Sequence, residues 1–335
     1  MAAVLLSACA PTVRPVGDPQ TPIALTADHF RAADGAILPL QRWLPEVSET
    51  PSAVILGLHG FGDYANAFDE AATALKDQGM VVYAYDQRGF GRTASRPFWP
   101  GTNSLVQDAS DMLMLLRHHY PGVPLYLAGD SMGGAVAIAT ATTRPHLMDG
   151  VILVAPALWG TTDMPWYQTT PLSVLSHSLP WLPLSGAGLD IWPSDNIDML
   201  RRLSQDPHMM KSVRVDMVAG LTRLMDQARG RARDLGNVFG QEYGGRIMVL
   251  SGAKDQVIPP DSIAGFVRDI RSSPLLAGAV ALSDNVTFCI YPDGYHMLLR
   301  DLGGPIVIDD IGDWILKPDS FGTGSHVAHL SCRSW

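Results

Sequence analysis

Pro124-Leu-Tyr-Leu-Ala128, Gly129-Asp130-Ser131-Met132-Gly133-Gly134 and Ala135-Val-Ala-Ile-Ala-Thr140 read in succession as an apolar strand, a glycine-flanked serine and an apolar helix. A serine held on a sharp strand-to-helix turn takes strained backbone angles, and glycines two residues to either side remove the side chains that would clash there. Such a turn lifts the Ser131 hydroxyl over the carboxyl end of a sheet, where a nucleophile meets its substrate.

On both sides of this stretch, short runs rich in β-branched and aromatic residues alternate with longer segments of helical period. The strands expected are Ala53–Leu58, Met80–Tyr85, Pro124–Ala128, Gly150–Val154, Arg246–Ser251 and Val286–Tyr291. Between them Asn66–Gln78, Ser104–Tyr120, Met132–Arg144, Pro259–Arg271 and Ile306–Leu316 read as helices. That alternation predicts an α/β fold, a mostly parallel central sheet flanked by helices. Upstream, Ala27–Arg31 and Ile37–Trp43 flank Ala33-Asp34-Gly35 and predict an antiparallel hairpin at one sheet edge. The alternation stops after Val154. From Pro156 to Gly236 no strand-like run occurs, and Trp159, Trp166, Trp181 and Trp192 crowd one short stretch, which predicts an inserted helical cap over 156–236. Within it Met210, Val213, Met217, Leu221, Leu224 and Ala228 recur every three or four residues, the pattern of one amphipathic, core-facing helix. The core then comprises 23–155 and 237–317, with a C-terminal extension over 318–335.

A serine hydroxyl is a weak nucleophile until a neighbouring base takes its proton and a carboxylate fixes the tautomer of that base. Asp255 follows the strand ending at Ser251 and precedes the helix near Pro259, so it is the expected orienting acid; Asp261 and Asp293 compete for that role. His296 follows the last strand, on the loop after Tyr291-Pro-Asp-Gly294, and is the expected base. The chain order Ser131, Asp255, His296 is that of this scaffold. Attack on a carbonyl also needs two backbone N–H groups for the oxyanion. Met132, directly after the nucleophile, supplies one, and Phe61 in His59-Gly60-Phe61-Gly62 supplies the other; His59 reads as a brace for that loop.

His59-Gly-Phe-Gly-Asp-Tyr64, Tyr85-Asp86-Gln-Arg88-Gly89-Phe-Gly91, Gly129-Asp-Ser131-Met-Gly-Gly134 and Gly294-Tyr-His296 together resemble the α/β-hydrolases of the monoacylglycerol lipase and lysophospholipase group, within the serine aminopeptidase fold family. The similarity runs from about His29 to Leu316, and Pro193-Ser-Asp-Asn196, Asp206-Pro207 and Arg214–Leu221 resemble bacterial members. The resemblance implies hydrolysis of carboxylic esters of single-chain lipids through an acyl-enzyme, with the Asp86–Gly91 segment bracing the nucleophile turn. Peptidase and acyltransferase activities on the same fold are the alternatives, followed by a non-catalytic binding module. Ser131 excludes the aspartate chemistry of epoxide hydrolases and dehalogenases.

Composition narrows the partners. The 335 residues are 47% apolar and 17% charged, with a net charge of −9 and no basic run, so nucleic acid is a poor partner. No stretch approaches the roughly 18 consecutive apolar residues of a spanning helix. His118-His119 sit side by side on a helix and cannot face one ion, and no His or Cys spacing suggests a metal; the chemistry needs neither metal nor cofactor. Leu6-Ser7-Ala8-Cys9 resembles a bacterial lipobox, which implies a cell-envelope protein lipid-anchored at Cys9 through the Pro-rich tether that ends at Pro22. Signal peptides carry a basic n-region and a longer apolar segment, and no Lys or Arg precedes Cys9. Either the true start lies upstream, or the match is accidental and the chain is cytoplasmic. An apolar cap and a lipidated Cys9 would both allow contact with a membrane surface. Cys289, inside an apolar run, and Cys332, in the polar tail, are expected as free thiols.

Overall fold

The computed structural model describes residues 10–46, 50–186, 188, 190–272, 285–318 and 331–334. Its strands are β1 (Ala24–Leu25), β2 (His29–Arg31), β3 (Ile37–Trp43), β4 (Val54–Leu58), β5 (Val81–Tyr85), β6 (Leu125–Asp130), β7 (Gly150–Val154), β8 (Pro183–Leu184), β9 (Val213–Arg214), β10 (Arg246–Gly252), β11 (Val286–Tyr291) and β12 (Ser331–Ser334). The main helices are α1 (Asp69–Asp77), α2 (Thr102–His119), α3 (Met132–Thr143), α4 (Trp166–Ser178), α5 (Ile197–Gln205), α6 (Val215–Gly230), α7 (Pro260–Arg271) and α8 (Gly304–Leu316). Among the described residues, ten strands form one sheet in the order β1-β2-β3-β5-β4-β6-β7-β10-β11-β12. From β5 through β11 the pairings are parallel; β1, β2, β3 and β12 run antiparallel to their neighbours.

Strands β4 to β7 are buried along their whole length, as parallel strands covered on both faces must be. Because side chains alternate across a strand, Val54, Leu56, Val151, Leu153, Ile247 and Val249 enter one apolar core, and Ile55, Ile152, Met248 and Leu250 enter the other. The first core lies under α2, α3, α6 and α7, and the second under α1 and α8. In the second, Trp314 packs edge-on against Tyr126 at 5.7 Å and donates its indole N–H to Thr287. The order of the strands sets the site. β4 lies between β5 and β6, so the chain leaves it first to one side and later to the other, and the loops after β4 and β6 meet at this switch point.

Six expected strands and five expected helices occur, with boundaries that moved for stated reasons. Strand β6 runs on through Gly129 and Asp130, because Gly129 pairs with Leu58 and Asp130 with Val154. The helix expected at Asn66–Gln78 begins as a tight turn, Ala65–Phe68, and only then becomes α1. The amphipathic stretch from Met210 turns helical only at Val215, and it buries Met217, Leu224 and Ala228 as expected.

Several features correct the sequence reading. The 156–236 segment, read as strand-free, contains the ribbon β8–β9, whose two-residue strands are too short to leave a periodic signal. Its last turn, Ala232–Asp234, passes into a π-helical stretch, Leu235–Glu242. Four residues of the presumed bare C-terminal extension form β12, on the edge of β11. Cys289 is disulfide-bonded rather than a free thiol, and Cys332 stands opposite it in the β11–β12 register. The Pro-rich tether is fastened to the body. Thr12 N–H donates to Asp216 of α6, Arg14 stacks on Phe98, and Val16 N–H donates to Ser104 of α2. The lipobox-like residues, Cys9 included, lie outside the described residues.

Candidate active site

Ser131 caps the junction of β6 and α3 with φ 51° and ψ −112°, a left-handed conformation that a side chain tolerates only when the surroundings enforce it. The surroundings here are the glycines and two backbone bonds. A Cβ on Gly129 would strike the Gly133 carbonyl, and one on Gly133 would strike the Leu58 carbonyl at the end of β4. Ser131 N–H donates to the Val154 carbonyl at 2.9 Å, and the Ser131 carbonyl accepts from Ala157 at 2.9 Å. The hydroxyl is thereby fixed at the carboxyl edge of the sheet.

The loops after β10 and β11 arrive at the same edge because Gly252 pairs in register with Tyr291. Asp255 is buried, and its Oδ1 accepts from Val257 N–H at 2.8 Å and Ile258 N–H at 2.9 Å. Its Oδ2 is left to accept from His296 Nδ1–H at 2.8 Å. A carboxylate only accepts, so the ring proton sits on Nδ1, and Nε2 accepts from the Ser131 hydroxyl at 3.0 Å. The structure thus brings Ser131, His296 and Asp255 into one continuous relay. Of the competing acids, Asp293 is exposed and paired with Lys254, and Asp261 stands in the first turn of α7. Burial alone would push the His296 imidazolium down, but the hydrogen bond and charge of Asp255, with the charge of Asp130, outweigh it and hold His296 above its ordinary value.

Beside the elbow runs His59-Gly60-Phe61-Gly62. A Cβ on Gly60 would already stand 3.4 Å from the Ser131 Cβ, so this backbone lies against the nucleophile, and Gly62 turns it away with φ +81°. Phe61 lies between these two glycines on the loop, and Met132 opens α3 directly after Ser131. His59 braces its loop. Its Nε2 accepts from Gln87 N–H at 2.9 Å, so Nδ1 carries the proton and donates to the Gly60 carbonyl at 2.8 Å. Complete burial pushes the His59 imidazolium down, in keeping with a neutral structural ring. The Asp86–Gly91 segment meets this loop through Gln87, which bonds the His59 ring and carbonyl, while Arg88 anchors the segment by forked pairs to Asp34 and Asp108.

Sequence reading missed a second layer of polar contacts. Asp63 pairs with Arg300 at 2.7 Å, Ser194 donates to Asp301 at 2.6 Å, Asn196 donates to the Arg300 carbonyl, and Met210 N–H donates to the Gly62 carbonyl. The signal available was the charged pair Arg300-Asp301 inside the otherwise apolar run that follows His296.

A serine on a strand-to-helix elbow, backed by His and Asp from the loops of later strands on this sheet, defines an α/β-hydrolase of the serine type. The chain matches the family described as Hydrolase_4, serine aminopeptidase S33, over residues 49–303, and it belongs to that family. It is 35% identical over 292 residues to the monoglyceride lipase of Rattus norvegicus, covering 86% of this chain and 89% of that one. The monoacylglycerol lipase of Mycolicibacterium smegmatis is 24% identical over 292 residues, 86% of this chain and 96% of the other. A soluble variant of the monoglyceride lipase from Saccharomyces cerevisiae, solved with a substrate analog, shares the fold with a TM-score of 0.68 at 18% identity, over 92% of this chain and 98% of that one.

Proposed function

We propose that the protein hydrolyses carboxylic esters of single-chain lipids, of the monoacylglycerol or lysophospholipid type, through an acyl-enzyme on Ser131. The observation that carries this reading is the relay from Ser131 Oγ to His296 Nε2 at 3.0 Å and from His296 Nδ1 to Asp255 at 2.8 Å. Ser131 Oγ attacks the ester carbonyl while its proton passes to His296 Nε2. Asp255 holds the ring and stabilises the imidazolium. The negative charge on the former carbonyl oxygen is met by the Phe61 and Met132 N–H groups. His296 returns the proton to the leaving alcohol. It then takes one from water as the hydroxide attacks the acyl-enzyme, and gives that proton to Ser131 Oγ as the fatty acid leaves, which restores both side chains.

The substrate class draws support from the lipases among the relatives and from the 156–236 segment, which we read as a cap. Eight of the sixteen exposed large apolar side chains among the described residues lie there, including Trp166, Tyr167, Trp181 and Trp192, so this face suits acyl chains and a membrane surface. Burial is worth about 0.8 kcal/mol per CH₂, so longer chains should be preferred. An aminopeptidase would need a carboxylate for the substrate ammonium, and the buried acids Asp63 and Asp130 both face Arg300 while Asp255 is held by His296. A cell-envelope location anchored at Cys9 fits the Cys289 disulfide, a bond of oxidising compartments. Labelling with a radioactive fatty acid in a bacterium should tag the wild type and spare Cys9→Ser.

The test is a panel of monoacylglycerols of increasing chain length beside aminoacyl naphthylamides. Ester turnover that rises with chain length, with the amides untouched, is the expected result. Faster cleavage of the amides would overturn the assignment.

A further inference from the structure

Among the buried charged side chains beside the site that take no part in the relay are Asp63, Asp130 and Arg300. Each belongs to a different working part. Asp63 follows Phe61 by two residues on the oxyanion loop, Asp130 directly precedes Ser131, and Arg300 follows His296 by four residues. Arg300 Nη2 reaches Asp63 at 2.7 Å and stands 4.0 Å from Asp130 Oδ2. The Arg300 backbone is pinned on both sides, its N–H to Met297 and its carbonyl to Asn196.

We propose that Arg300 is a positioning residue: its guanidinium, buried between Asp63 and Asp130, ties the oxyanion loop and the elbow to the loop carrying His296 and balances the carboxylates that flank the imidazole. The proposal rests on the hydrolase reading above. Two carboxylates in such a place are costly without a cation between them, because breaking a buried pair leaves an uncompensated charge. Burial already lifts the Asp130 carboxyl to about 6, against the pull of Arg300 and His296. The groups facing His296 are Asp255 from the loop after β10, Asp130 from the elbow, and Arg300 and Asp301 from its own loop, with Asp63 behind Arg300. Negative neighbours favour the imidazolium and Arg300 opposes it. Deleting Arg300 therefore raises the pH at which His296 becomes a competent base, and deleting the charge of Asp130 lowers it. A side chain that merely fills space would not produce opposite shifts.

The experiment is the pH dependence of kcat/KM on p-nitrophenyl butyrate for the wild type, Arg300→Met, Arg300→Lys and Asp130→Asn. Arg300→Met should lower kcat about tenfold or more, with KM little changed, since loosened loops misplace the reacting groups. Its acid limb should move up by roughly one pH unit, the order a unit charge in a partly buried site imposes on a neighbour. Arg300→Lys should restore the limb but only part of the rate, and Asp130→Asn should move the limb down. If Arg300→Met does not fold, Arg300→Lys and Asp130→Asn decide by the same limb. Limbs that stay fixed or move in one common direction overturn the proposal. Fluorophosphonate labelling of the wild type separates the two layers: no adduct on Ser131 ends the hydrolase reading, whereas an adduct with unmoved limbs ends only the role of Arg300.

Discussion

Replacing Gly133 by alanine perturbs the elbow at its tightest point. The added Cβ would overlap the Leu58 carbonyl oxygen, with the carbonyl carbon at 2.5 Å and the Leu58 Cβ at 2.9 Å. The obstacle is the backbone of a central strand, so no side chain can swing aside, and α3 must move from β4 by roughly 1 Å to restore contact distances. Overpacking of this kind costs about 1–3 kcal/mol, and a backbone obstacle places Gly133 at the upper end. At about 2 °C per kcal/mol for a large domain, the melting temperature should fall by about 5 °C. The same displacement carries Ser131 away from the Phe61 loop and from His296, and a misplacement of that size costs about 10² in turnover. Gly230→Ala is the control. It lies at the exposed end of α6 with nothing within 4 Å of the new methyl, so it should gain roughly 0.5–1 kcal/mol and leave turnover unchanged. Calorimetry and p-nitrophenyl ester hydrolysis on both variants decide the matter. A Gly133→Ala protein that melts within 1 °C of the wild type and turns over normally would refute this account of the elbow.

Asp255→Asn should retain the fold but present the wrong hydrogen-bonding face to His296, lowering kcat by about 10³–10⁴; circular dichroism and steady-state kinetics check both halves. Catalysis needs neutral His296, whose folded value is raised, so activity should be lost as pH falls through a limb above about 6.5. A kcat/KM profile with its limb below about 6 would contradict this. His59→Ala strands the Gln87 N–H and leaves the Gly60 carbonyl with only the Asp63 N–H, and at about 1–3 kcal/mol for a buried orphan it should lower the urea midpoint measurably and slow turnover. An unchanged midpoint would remove His59 as the brace of the oxyanion loop.

The strands around Ser131 were legible because buried parallel strands write themselves as short continuous apolar runs, and the elbow because its glycines must stand at fixed offsets from the serine. Asp255 and His296 were legible for a related reason: each follows a readable strand, and strand ends converge on one edge. The ribbon β8–β9 and the edge strand β12 left no comparable trace, since two to four residues hold no period. The bond at Cys289 left no signal in the apolar run that surrounds it. Arg300 and Asp63 are separated by 237 residues, and only the register that aligns the loops after β4, β6 and β11 brings their charges together. The docking of Thr12 and Arg14 likewise depends on Asp216 and Phe98, which are remote in sequence.

The central claim is that one imidazole activates one serine. Peptide mapping by mass spectrometry after brief fluorophosphonate treatment of the wild type and of His296→Ala tests it most directly. The account predicts a single adduct on Ser131 in the wild type and at most traces in the variant. An adduct on another serine, or equal labelling of Ser131 without His296, would contradict it.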